Sequence, residues 1–325
     1  ASTNLQDFYN LIDVYLDAVF SPRLTPQVLK QEGWHYELEH TEDPLTYKGV
    51  VFNEMKGAYS APERVLAEYA QHSLFPDNTY GVESGGHPRS IPDLTFEQFE
   101  RFHTTLYHPS NARIFFYGDD DPDKRFGLVE EYLERYQRLE VDSAIATQQP
   151  LDGPRSLEAT YAASDEDEGG SKGMVAVNWL LHGDIDTETG LALQILDYIL
   201  IGTPASPLRR ELIESGLGED LAGVGMETEL KQFFFSIGLR GVEADDEAAV
   251  EALVIKTLQE LADGGIDPQT VEAAINTSEF RLRENNTGSY PRGLVLMLRS
   301  LASWLYDKDP FEPLAFEAPL QSVKK

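Results

Sequence analysis

Strand-like apolar runs and helical periodicity alternate along this chain, and that alternation restricts the fold more than any other feature. Apolar residues recur every three or four positions from residue 5 to 19, which is the spacing of an amphipathic helix. The run ARIFFYG at 112–118 has the composition of a buried strand, and the segments 173–181 and 233–239 also resemble strands. Further strands are predicted at 156–163 and beside Gly223, and further helices at 45–60, 63–74, 95–107, 125–138, 188–201, 207–215, 246–263, 268–284 and 290–306. Because strands and helices adjoin in both halves, we predict an α+β fold made of two related domains.

The predicted boundary between these domains lies in a polar segment. Residues 142–154 are rich in turn-forming residues. We therefore predict a first domain at 1–141, a linker at 142–155 and a second domain at 156–325. The helix that begins at about residue 5 has all of its packing partners downstream, so we also expect that another piece of the first domain precedes it.

The chain has a globular composition and is strongly acidic. Its 56 Asp and Glu residues against 26 Lys and Arg give a net charge of −30, while 41% of the residues are hydrophobic. Such a charge repels nucleic acid and anionic membranes, and no apolar run approaches the roughly 20 residues of a membrane span. We therefore expect neither a nucleic-acid nor a membrane partner. Without cysteine, only His, Asp and Glu are available as metal ligands, and with the acidity this absence favours the cytoplasm of a bacterium or archaeon.

Several common catalytic signatures do not occur in the sequence. It contains no GxSxG, GxxxxGK[ST], HExxH or HxxEH motif. His35 and His40 are five positions apart, as are His103 and His108, so neither pair lies on one face of a helix as a zinc-binding pair does. We predict structural roles for these four histidines and for three isolated ones, His72, His87 and His182.

Glu54, in the segment GVVFNEMKGAYS, is the most informative single residue. In a helix it shares a face with Val50, Val51 and Ala58, where an apolar side chain is expected. We therefore predict that its carboxylate is buried, and a buried carboxylate needs a cation, a metal or strong donors. The residues alone leave two interpretations open: an internal salt bridge with an arginine such as Arg64 or Arg113, or a metal ligand.

A long set of segments resembles one known family. These are DFYNLIDVYLDAVFSP, KQEGWHYELE, YKGVVFNEMKGAYS, DNTYGVESGG, IPDLTFEQFERFHTTLYHPSNARIFFYG and LIGTPASPLRRELIESGLGE, which span most of residues 5–240. They are similar to the presequence-protease branch of the pitrilysin and insulinase zinc metallopeptidases. The resemblance implies repeated α+β domains, each a mostly antiparallel sheet packed with helices. It also implies a zinc metalloendopeptidase that degrades unstructured, presequence-like peptides in a closed chamber.

The same resemblance assigns a role to Glu54. In the family, an HxxEH motif supplies two histidine ligands and the general base, and a glutamate on a later helix completes the zinc site. The segment NEMKG matches that helix, which implies that Glu54 is a zinc ligand and that zinc-bound water attacks the peptide bond. Because this sequence lacks HxxEH, we expect an internal fragment with no catalytic residue of its own. Without the upstream and C-terminal parts of the polypeptide, it is expected neither to hold zinc tightly nor to cleave peptides.

Two other functions remain open at this point. The chain could belong to a non-catalytic peptide-binding or assembly subunit of the same superfamily. It could also be an acidic protein-interaction module in which Glu54 is only salt-bridged. The acidity likewise has two explanations, adaptation to high salt or an acidic chamber wall that selects basic peptides.

Overall fold

The computed structural model describes residues 2–162 and 173–325 and divides the chain into two compact units. Unit 1 comprises Ala1–Ala58 and Ser84–Ala144, and unit 2 comprises Tyr59–Glu83 and Ile145–Lys325. Each unit combines helices with a small antiparallel sheet, as predicted for an α+β fold. The acidic, glycine-containing run SDEDEGG at 164–170 predicts a solvated loop, and it lies outside the described residues.

Unit 1 contains helices around a two-stranded hairpin. Its elements are α1 (Leu5–Phe20), α2 (Pro26–Val28) followed by a π-helical turn (Leu29–Gly33), β1 (His35–Glu37), β2 (Thr46–Lys48) and α3 (Val50–Ala58) in its first segment, and α5 (Phe96–Leu106) and α6 (Pro122–Leu133) in its second. The hairpin strands are antiparallel, with Tyr36 directly opposite Tyr47.

The first helix forms for the reasons that the sequence predicts. Its N-terminus is capped by the side chain of Asn4, which accepts hydrogen bonds from the next turn. The spacing of Thr3 and Gln6 predicts a capping box with Thr3 as the N-cap, and this prediction is wrong by one residue. The apolar face of α1 buries Leu16 and Phe20 against Tyr132 of α6. Tyr132 also donates its hydroxyl to the Asp13 carboxylate, so this helix pair is held by both apolar and polar contacts.

The predicted strand at 112–118 is wrong. Residues 112–117 have no regular secondary structure, and no strand among the described residues pairs with them. Extended backbone becomes a strand only when a neighbour accepts and donates its hydrogen bonds. An apolar run therefore shows that a strand is compatible with the sequence, not that a partner strand is available.

Unit 2 is built on a three-stranded antiparallel sheet. Its elements are α4 (Pro62–Leu74), β3 (Gly173–Leu180), α7 (Thr187–Ile201), α8 (Pro207–Glu214), β4 (Asp220–Glu227), β5 (Phe234–Val242), α9 (Glu247–Gly264), α10 (Pro268–Glu284), α11 (Arg292–Trp304) and α12 (Glu317–Val323). The strand order is β3-β5-β4, which confirms the strand predicted beside Gly223 and pairs it antiparallel with the strand predicted at 233–239. Residues 156–162, expected to form a strand, have no regular structure.

The core of unit 2 lies between the central strand and two helices. Ile237 and Leu239 of β5 pack with Leu212 of α8 and with Val250 and Val254 of α9, and all five are almost fully buried. Apolar burial of this kind contributes roughly 1.5–3 kcal/mol per side chain. The sheet and these two helices therefore stabilise one another.

A bulge in β4 brings a carboxylate of α7 into the sheet edge. The strand register shifts between Ala222 and Gly225, and the Met226 N–H beyond it donates to Asp197 at 2.9 Å. Burial raises the pKa of the Asp197 carboxyl above its usual range, and the hydrogen bond from Met226 opposes this effect.

The predicted boundaries assign residues 59–83 to the first domain. In the structure these residues pack within unit 2. Helix α4 lies against β3 and β4. Immediately after it, Phe75 is fully buried with its ring 6.2 Å from that of Phe234. Because these contacts are with residues more than 100 positions away in sequence, no local pattern identifies them.

Candidate functional site

Helix α3 carries the candidate ligand and begins at an unusually tight backbone contact. Gly49, directly before the helix, is buried with φ of 145°, and a Cβ there would lie 2.2 Å from the carbonyl oxygen of Gly33. Only glycine fits both conditions. The helix predicted from residue 45 therefore starts at Val50, and its first turn is fixed against the π-helical turn.

Glu54 lies on this helix but is exposed, so the expectation that it is buried was wrong. It shares its face with Val50 and Val51, as the helical spacing predicts, and these two valines are exposed as well. The helix instead buries Phe52, whose ring lies 5.8 Å from that of Tyr47. Among the described residues, nothing buries the Glu54 face of the helix.

The salt-bridge interpretation of Glu54 is also not supported. Among the described residues Glu54 forms no ion pair, so neither Arg64 nor Arg113 neutralises it. Arg64 instead pairs with Glu83 at 2.5 Å. The Glu54 carboxylate is thus accessible and, within the ranges that the structure describes, is paired with no cationic side chain.

The described residues do not form a zinc site by themselves. No three His, Asp or Glu side chains in the described ranges come together as a metal-binding group. A catalytic zinc site in a peptidase needs three protein ligands, and the described ranges do not bring three such side chains together. We therefore assign no catalytic step to these residues.

The paired histidines have structural partners in unit 1. The ring of His35 donates from Nδ1 to the Lys30 carbonyl at 2.7 Å, and His103 donates from Nε2 to the Val19 carbonyl at 3.0 Å. His108 accepts the Ser110 N–H at Nδ1. These contacts support the structural roles predicted for His35, His103 and His108.

An aromatic cluster beside α3 was not identified from the sequence. The rings of Trp34, Tyr36 and Tyr47 meet at centroid distances of 5.2–5.9 Å. Hydrogen bonding to Tyr36 raises the pKa of the Tyr47 hydroxyl. The two tyrosines are eleven positions apart, and only the hairpin register brings them opposite each other. The alternating pattern at 35–40 indicated the strand that carries Tyr36, but Tyr47 fell within the predicted helix at 45–60, so no local signal suggested the pair.

With this geometry established, comparison with known proteins identifies the family. A family model described as "Peptidase M16 inactive domain" matches residues 93–278, more than half of the chain. The chain belongs to the peptidase M16 family. The resemblance to pitrilysin- and insulinase-type peptidases is thereby confirmed, although the matched range of this M16 chain does not include Glu54.

Relatives of this M16 chain include named presequence proteases. Presequence protease 1, chloroplastic/mitochondrial, of Arabidopsis thaliana is 53% identical over 329 residues, which covers 100% of this chain and 30% of that protein. Protein HypA of Clostridium perfringens is 41% identical, covering 100% and 34%. The mitochondrial presequence protease of Mus musculus is 39% identical, covering 100% and 32%. The chain thus spans about a third of the length of these relatives.

Solved structures support the fold. The peptidase M16 inactive domain from Pseudomonas fluorescens matches with a TM-score of 0.70 at 17% identity, over 100% of this chain and 70% of that one. Pitrilysin matches with a TM-score of 0.57 at 15% identity, over 98% and 34%. The predicted α+β architecture of this family is confirmed. Within the described ranges, every helix is too short or too polar to span a membrane.

Proposed function

We propose that this M16 chain is part of a zinc metalloendopeptidase that degrades unstructured, presequence-like peptides. The observation that carries the proposal is the 53% identity to presequence protease 1 of Arabidopsis thaliana along the whole chain. The 39% identity to the mitochondrial presequence protease of Mus musculus supports it independently. The partners are then unfolded peptides and the remaining parts of the same polypeptide. A cytoplasmic location stays a prediction.

In this proposal Glu54 is a zinc ligand, and the other ligands belong to polypeptide outside the 325 residues. Two features of unit 1 support this role. The carboxylate is accessible and unpaired among the described residues. Its helix begins at the contact between Gly49 and Gly33, which holds the first turn in place. An unneutralised carboxylate on a helix whose start is held in place suits metal binding better than an ion-paired one.

Zinc content per chain tests the proposal. Elemental analysis after dialysis would compare the 325-residue chain with a version extended upstream through an HxxEH motif. We expect stoichiometric zinc only in the longer chain, lost on Glu54→Ala and retained in the control Glu251→Ala, because Glu251 is an exposed helix residue of unit 2. Zinc that survives Glu54→Ala, or equal zinc in both lengths, would contradict the assignment.

A second candidate is a non-catalytic peptide-binding or assembly subunit of the same family. It is favoured by the description of the matching model as an inactive domain. If the extended chain contains an intact HxxEH yet binds no zinc and hydrolyses no unfolded peptide, this candidate replaces the first.

A further inference from the structure

The β1–β2 hairpin presents an exposed aromatic surface next to the helix that carries Glu54. We name the rings of Trp34, Tyr36 and Tyr47 the aromatic platform. Tyr36 is 57% exposed and Tyr47 is 43% exposed. Exposed aromatic side chains that cluster, rather than occur singly, mark interaction surfaces.

The platform is held in place by contacts within unit 1. The indole N–H of Trp34 donates to the Leu94 carbonyl at 3.1 Å. On the other side, the Tyr47 ring contacts the buried Phe52 of α3. Because the three rings contact one another, no ligand fits between them, and the accessible faces are the outer ones.

The charges around the platform are predominantly negative. The Asp93 carboxylate is close enough to Tyr47 to raise the pKa of its hydroxyl. The hairpin turn adds three exposed acids, Glu39, Glu42 and Asp43. Glu37 and Lys48 project from the opposite face of the hairpin, where they pair with each other at 3.4 Å. A cation resting on an aromatic face gains from the ring quadrupole and from neighbouring carboxylates, whereas an anion is repelled.

The hairpin also has open edges. Within the described ranges β1 and β2 pair only with each other, so each strand has one edge without a strand partner. Edge addition requires an extended partner and provides main-chain hydrogen bonds that are independent of its sequence. Every second side chain of such a partner would project on the same face as the platform and lie beside its rings.

We propose that the aromatic platform binds arginine or lysine side chains of extended basic peptides. The inference deepens the proposed function and rests on it, since it identifies the positive charge that a substrate presents to this unit. The platform is a binding element distinct from the Glu54 carboxylate. It also offers a local reason for acidity around the hairpin, separate from adaptation to salt.

Peptide binding to the 325-residue chain tests the platform. The probe is a short fluorescein-labelled peptide in which arginine alternates with alanine, compared by anisotropy with a counterpart that carries neutral citrulline. We expect Tyr36→Ser to weaken binding of the arginine peptide about 2- to 5-fold, the equivalent of one exposed cation–π contact. The citrulline peptide should bind more weakly and should not distinguish the variant from the parent chain.

The control is Tyr290→Ser, which removes an equally exposed tyrosine of unit 2 without changing the net charge. Equal affinities of the parent chain and Tyr36→Ser, an equal loss in Tyr290→Ser, or equally tight binding of the citrulline peptide would each overturn the inference. If Tyr36→Ser changes the circular dichroism spectrum, Tyr36→Leu decides instead, because leucine keeps apolar bulk but has no π face.

These results are distinguishable from the zinc test. Binding is measured without metal or hydrolysis, so a failed zinc experiment leaves the binding result interpretable. Conversely, if zinc binds through Glu54 but Tyr36→Ser does not change the affinity for the arginine peptide, only the inference about the platform is overturned.

Discussion

Replacing Gly49 by alanine should destabilise unit 1 strongly. The new Cβ would lie 2.2 Å from the Gly33 carbonyl oxygen, 2.7 Å from its carbon and 2.8 Å from the Trp34 Cα. All three atoms belong to the backbone, so no side-chain rotation relieves the overlap. The φ of 145° adds a conformational cost of about 1–3 kcal/mol, and overpacking adds about 1–3 kcal/mol. The expected loss in free energy of unfolding is therefore about 2–6 kcal/mol.

The assay is urea unfolding followed by the fluorescence of Trp34. The other two tryptophans, Trp179 and Trp304, belong to unit 2 and are replaced by phenylalanine in every chain so that the signal reports on unit 1. With an m-value of about 2 kcal/mol/M, the midpoint should fall by about 1–3 M.

Gly57→Ala in the same helix is the matched control. A Cβ at Gly57 meets nothing within 4 Å, so the alanine is expected to stabilise the helix by about 0.5–1 kcal/mol. If Gly49→Ala left the urea midpoint reported by Trp34 fluorescence unchanged, the reasoning would be refuted, because the close contact between Gly33 and Gly49 would then not fix the start of α3.

Two further predictions concern charge. Because the pKa of Asp197 is raised in the folded chain, its contribution to stability is fully present below its unfolded pKa of about 4 and is lost as the pH rises through the folded value. The urea unfolding midpoint of Asp197→Asn should therefore rise relative to that of the parent chain as the pH goes from acid to neutral. A difference between the two midpoints that does not change with pH would contradict the burial argument. The net charge of −30 predicts that the thermal unfolding midpoint of the whole chain increases when KCl is raised from about 0.1 M towards molar concentration, because salt screens the repulsion between like charges. A midpoint that does not change with salt would remove adaptation to high salt as the explanation of the acidity.

Local signals in the sequence predicted much of the secondary structure. The capping box of Thr95 and Gln98 is present at the start of α5, and the apolar run at 233–239 corresponds to β5. Both depend on neighbours along the chain or on hydrophobicity alone. Strands that need a distant partner were less predictable, since residues 112–117 have an apolar run but no pairing strand among the described residues.

The candidate site shows the same division. Periodicity correctly placed Glu54 on one face with Val50 and Val51, but it could not tell whether that face is covered, because the covering atoms come from elsewhere in the chain. The aromatic platform was missed because Tyr36 and Tyr47 become neighbours only through the hairpin register. Family resemblance supplied the role of Glu54, which remains a prediction.

The placement of residues 59–83 in unit 2 has a consequence for recombination between related genes. The chain passes between the two units after Ala58, after Glu83 and after Ala144. A recombination event with one junction near residue 144 would transfer residues 145–325 without α4 and Phe75. The residues of β3 and β4 that contact α4, and Phe234, which contacts Phe75, would then lose these packing partners. Exchanging a complete unit requires three junctions at once. We therefore expect recombination to transfer the two units together. Chimaeras with junctions at all three crossings should fold, whereas chimaeras with a single junction should not.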